Sequence, residues 1–191
     1  MPSSIDTTSK WRTLAEIDYY SLFIKTWLAF NSWYKGYYPN IKNDRDCLQE
    51  IKKTQDPRNS FYTKFKIFLN GSDRESENFK DNLDGLITCL NRTTLQNSTN
   101  NYRGKISFEN ASTDWNNHIY ENLIKPFKSR KSRKLLTVAI DLQDEKIFIA
   151  AIEIIYQIRC LLLHGQLEPN VENHEIVKYC YLLLSSILRE I

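Results

Sequence analysis

The run DEKIFIAAIEIIYQIRCLLLHG, residues 144–165, decides the reading of the fold. Residues 147–163 are mostly apolar, yet Glu153, Gln157 and Arg159 interrupt them. A membrane-spanning helix wants about 20 apolar residues with few charges. The run therefore reads as a helix buried in a bundle rather than an anchor. It starts near Asp144, and Gly165 stands in the C′ position expected of a helix stop.

Outward from this helix, the next apolar pattern covers about residues 172–191, with Ile176, Tyr179, Cys180, Leu183, Leu184 and Ile187 at helical steps. The connection from Gly165 is short, so the two helices are expected to lie antiparallel. At the other end, Leu14, Ile17, Tyr20, Ile24, Trp27, Leu28, Trp33 and Tyr34 predict a helix over about 10–37, closed by Gly36 and Pro39. Its many aromatics read as core first and as an interface second. Between them the signals weaken. Short helices are predicted over about 44–53, then after Asp56-Pro57 as far as Asn70-Gly71, then over 74–90 despite Gly85. Residues 93–101 read as a polar loop and 102–108 as a short extended segment. Ser112 or Thr113 is placed to cap a helix carrying Trp115, Ile119, Leu123 and Ile124 up to Pro126. Gly and Pro number only five each, too few for a turn-rich sandwich or barrel. The expectation is an all-α antiparallel helical bundle in one domain, residues 1–191. Its core would come from about 10–38 and 112–191, with a helical and loop elaboration over 40–110.

Charge by itself selects no partner, because 26 basic and 23 acidic side chains leave only +3. Locally, Lys125, Lys128, Arg130, Lys131, Arg133 and Lys134 form a run of cations with no acid among them. Such a run is either a solvated loop or a strip for an RNA backbone. The cysteines Cys47, Cys89, Cys160 and Cys180 are scattered, which argues for free thiols and a reducing compartment. The N-terminus lacks a basic n-region and an apolar h-region, so no signal peptide is read and a cytoplasmic, membrane-free setting is expected. Cys160 and His164 share helical spacing, but no second pair completes a zinc site, and no metal or cofactor is expected. Gly-rich phosphate loops and nucleophile elbows are absent. The carboxylate pairs Asp44/Asp46 and Asp141/Asp144 read as surface acid.

Within the deciding helix, Arg159 and His164 are the residues able to carry chemistry. An arginine among long apolar runs is costly to bury without an anion to meet. A histidine at a helix C-terminus sits where carbonyl ends favour the imidazolium. Guanidinium matches a phosphate in a fork, and imidazole can take the proton of a ribose 2′-hydroxyl. The spacing opposes direct cooperation, since five steps of about 100° set the two side chains roughly 140° apart. His164 aligns instead with Cys160, Gln157 and Glu153. On spacing alone, that stripe is a wetted face and Arg159 an ordinary ion-paired residue.

The segment Tyr156-Gln157-Ile158-Arg159-Cys160-Leu161-Leu162-Leu163-His164-Gly165 resembles the Arg-x4–6-His motif of HEPN domains, and Trp27-Leu28-Ala29-Phe30-Asn31-Ser32-Trp33-Tyr34 is similar to the aromatic first helix of many members. The likeness covers about the first 38 and the last 50 residues. It implies a bundle that forms a homodimer, joining two motifs across a two-fold axis, and a metal-independent endoribonuclease leaving 2′,3′-cyclic phosphate and 5′-hydroxyl ends. By carry-over, His164 is the acid/base group and Arg159 the phosphate ligand, with Asn31 and Cys160 as auxiliary residues. Lys128, Arg130, Lys131, Arg133 and Lys134 would hold RNA backbone. The role implied is a toxin or defence effector with an antitoxin or other regulatory partner. Cys160 departs from the pattern, which usually has a polar residue, often Asn, after the arginine. Gly165-Gln166 replaces the His-x-Tyr ending of toxins paired with a nucleotidyltransferase. The competing expectation is a non-catalytic helical module binding RNA, nucleotide or a partner protein.

Overall fold

The computed structural model describes residues 17–93, 95–97, 104–106, 108, 132–134, 139–141 and 144–191. Six helices lie among the described residues and carry the fold. The first, α1 (Tyr19–Tyr37), begins where Asp18 accepts hydrogen bonds from the backbone N–H groups of Tyr20 and Ser21. It thus starts later than residue 10, and residues 10–16 lie outside the described part. Gly36 sits inside α1 rather than ending it; the helix closes just before Pro39, whose ring disfavours helical backbone at the preceding residue. Phe23, Trp27, Phe30 and Tyr34 form its buried stripe, so the aromatics of this helix are core.

Helix α2 (Asp44–Ile51) is capped by Asn43, α3 (Ser60–Asn70) by Asn59 and α4 (Arg74–Arg92) by Asp73. Pro57 stands in the turn before α3, not in its first turn, because the buried Asn59 holds the cap. The Asn59 amide also donates to the Ile51 carbonyl at 2.6 Å, tying the start of α3 to the end of α2. The helices α5 (Asp144–Leu163) and α6 (Val171–Leu188) follow the predicted pattern, with Asn170 capping α6. Gly165 adopts φ +65°. The N–H groups of Gln166 and Gly165 reach the carbonyls of Leu161 and Leu162 at 2.8 and 3.2 Å, the pairing of a Schellman stop.

Among the described residues two short antiparallel ladders accompany the helices. The strand β1 (Gln96–Asn97) pairs with β2 (Gly104–Lys105), and β3 (Ser132–Lys134) pairs with β4 (Ala139–Asp141). The first ladder puts strand inside the segment 93–101 expected as loop, and realises part of the extended segment expected at 102–108. The second takes up Arg133 and Lys134, the end of the basic run. The helix predicted from Ser112 or Thr113 to Pro126 lies outside the described residues.

One hydrophobic core joins all six helices. Leu48 and Ile51 of α2, Phe61 and Phe65 of α3, and Phe79, Leu83 and Leu86 of α4 are buried in the same cluster as Phe23 of α1, Phe148 of α5 and Leu184 of α6. The segment drawn as an elaboration over 40–110 therefore supplies much of the core itself. Helix α6 packs most closely on α1 and α4, rather than on α5, which precedes it. Against α4 it runs antiparallel, with Gly85 beside Tyr179 and Cys89 Sγ 3.6 Å from the Glu175 carboxylate. Among the described residues no helix is long and apolar enough to cross a membrane.

Candidate functional site

Arg159 emerges from α5 toward α1 and the start of α2. Its Nη2 lies 3.4 Å from the Asp44 carboxylate, and its guanidinium carbon stands 5.4 Å from the centre of the Trp27 ring. Asp44, the first residue of α2, also faces Lys35 Nζ at 3.3 Å and accepts from the Asn31 amide at 3.2 Å. Asn31 in turn donates to the Tyr34 hydroxyl. Burial, with the adjacent Asp44 charge, pushes the Tyr34 phenol far up, so it stays neutral. A cleft of about 260 Å³ opens beside them, walled by Phe23, Ile24, Trp27, Leu28, Leu162 and Leu163, with Asn31, Asp44 and Arg159 at its polar end. Leu28 and Leu163 are 60% and 48% exposed and form its rim.

Asn31 and Arg159 thus share one cleft. His164 does not line it: the residue is exposed one position past the end of α5, where its backbone N–H donates to the Cys160 carbonyl at 3.0 Å. His164 caps the helix rather than being its last helical residue. Cys160 is buried next to Tyr156, and burial, then the neighbouring thiol, push the Tyr156 phenol up to about 12. Lys128, Arg130 and Lys131 lie outside the described residues, and of Arg133 and Lys134 only the strand backbone is described.

Two readings of the sequence change here. The stripe Glu153–Gln157–Cys160 is buried, not wetted. Both Glu153 carboxylate oxygens accept from Arg45 Nη1 at 2.8 Å, and the carboxylate also meets the Lys52 ammonium and accepts from the Gln157 amide at 3.0 Å. Asp44, read as surface acid, is the anion that Arg159 meets. Its position as a helix N-terminal residue was visible in the sequence, but its pairing across the bundle was not. Among the described residues no group of three His, Cys, Asp or Glu side chains is placed to hold a metal ion. The four cysteines are free buried thiols. No family model, no curated protein and no solved structure matches the chain.

Proposed function

We propose that the chain is a HEPN-type, metal-independent endoribonuclease acting as a homodimer, in the role of a toxin or defence effector. The observation that carries this reading is the cleft itself, where Arg159 and Asn31, named from separate parts of the resemblance, stand together beside an apolar wall. Arg159 binds the non-bridging oxygens of the scissile phosphate in a charge-assisted fork. His164 takes the 2′-hydroxyl proton, O2′ attacks phosphorus, and the 5′-oxygen leaves with a proton, giving a 2′,3′-cyclic phosphate and a 5′-hydroxyl. His164 does not line the Arg159 cleft of its own chain, and in this reading a two-fold axis brings the two groups to one phosphate. The run Lys128 to Lys134 holds the strand to either side, and a regulatory partner would restrain the enzyme.

A second reading draws on the Arg159–Asp44 pair and the stacking on Trp27, which together pin α5 to α1 and α2. In it the chain is a non-catalytic module binding RNA, nucleotide or protein. Incubation of a mixed structured RNA with wild type, Arg159→Ala and His164→Ala, with and without chelator, separates the two. The ribonuclease gives chelator-resistant cleavage with cyclic-phosphate ends, reduced at least about a hundredfold in either variant. A folded, dimeric wild type that leaves RNA intact contradicts it.

A further inference from the structure

Asp44, at the polar end of the cleft, is crowded with donors. Lys35, Asn31 and Arg159 all converge on the one Asp44 carboxylate, at 3.3, 3.2 and 3.4 Å. Two further donors, Arg159 Nε and the Nε1 of Trp27, are buried and find no hydrogen-bond partner among the described residues. Trp27 is itself only 2% exposed. A buried donor without an acceptor is destabilising, so two around one cleft mark a place where acceptor oxygens are wanted. The charge balance agrees: two cations face a single carboxylate, leaving a positive excess. The three charged side chains remain 22–31% exposed, so an incoming anion reaches them from solvent.

We infer that Lys35, Asn31 and Arg159 form a phosphate cradle in which Asp44 is the resident anion, displaced when a phosphodiester binds. Asp44 holds the cradle in shape and keeps it closed to weak anions. Lys35 is thereby a second cationic ligand for the phosphate, and the wall of Phe23, Ile24 and Leu28 receives the adjoining sugar or base. The identity of the ligand as RNA rests on the ribonuclease reading; the anion site does not. The same oxygens are offered by a strand phosphate or by free phosphate.

The test is the affinity of wild type, Asp44→Asn and Lys35→Ala for a 2′-O-methyl oligonucleotide and for inorganic phosphate. The oligonucleotide has no 2′-hydroxyl to attack, so binding is read without cleavage. Removing the resident charge in Asp44→Asn is expected to tighten binding about tenfold, and Lys35→Ala to weaken it about fivefold. Tightening for the oligonucleotide alone identifies a strand phosphate, and tightening for inorganic phosphate alone a free one. Tighter binding by Asp44→Asn beside a wild type that cleaves no RNA keeps the cradle and removes the nuclease. Unchanged or weaker binding of both probes by folded Asp44→Asn overturns the cradle. Where Asp44→Asn fails to fold, unchanged binding by Lys35→Ala overturns it.

Discussion

Glu153 is a buried carboxylate that ties α5 to α2 through Arg45 and Lys52. Burial alone would raise its carboxyl, but the Lys52 and Arg45 cations on either side hold it down at about 2. Lys52 fares differently, because burial and the like charge of Arg45 together outweigh the single carboxylate and lower its ammonium. A carboxyl held below its unfolded value contributes stability that is complete above that value. The contribution is lost as pH falls through the folded value, so it disappears here between about pH 4.5 and 2 and amounts to about 3 kcal/mol. Glu153→Gln removes the buried charge that Lys52 and Arg45 face and is expected to cost about 3–5 kcal/mol at neutral pH, lowering Tm by roughly 10 °C. Urea unfolding of both proteins from pH 7 to pH 2 checks it: the wild-type advantage should shrink with acid, and a pH-independent difference would refute the role of the charge. The sequence showed that this glutamate was unusual in an apolar run. It could not show that the cations balancing it come from α2 and the turn after it, because that pairing is made only when the helices cross.

At the scale of elements, the helices were legible wherever apolar steps and caps agreed. Gly165 closes α5 where the sequence places a stop, and Asp73 and Asn170 cap α4 and α6 close to the starts read from the apolar steps. The start of α1 was not legible, since Leu14 and Ile17 continue the helical spacing while Asp18 takes the cap. Gly85 looked like a weakness in α4, yet a Cβ there would stand 2.4 Å from the Tyr179 ring. The glycine lets α4 and α6 approach, which is a matter of packing that no local pattern records. Gly85→Ala is expected to cost about 1–3 kcal/mol by forcing that ring aside. Thermal unfolding measures it, and a Tm equal to wild type would mean that Tyr179 moves freely. The basic run belongs to this scale as well. Replacing Lys128, Arg130, Lys131 and Arg133 with Gln should weaken RNA binding at low salt. It should also flatten the salt dependence, by about 0.7 in logarithmic slope for each phosphate that is no longer neutralised. An unchanged slope removes the run from the RNA path.

For the whole molecule, the helical bundle follows from the scarcity of Gly and Pro and from the two strongest helical patterns. The share of the core supplied by α2, α3 and α4 was hidden, because their polar-rich runs carry few signals until Phe61 and Phe65 meet Phe148 and Phe79 meets Phe65. The candidate site divides in the same way. Arg159 and Asn31 were named from the sequence, whereas Lys35 and Asp44 join them only through the fold. His164 remains outside the cleft of its own chain, and the ribonuclease reading then requires a second copy to bring it there. Mixing Arg159→Ala with His164→Ala protomers tests that requirement most directly. Each variant alone should fail to cleave, and subunit exchange should restore a measurable part of the wild-type rate, because the mixed dimer holds one intact arginine and one intact histidine at its axis. A mixed dimer, demonstrated by a tag on one protomer, that cleaves no better than either parent would contradict the composite site.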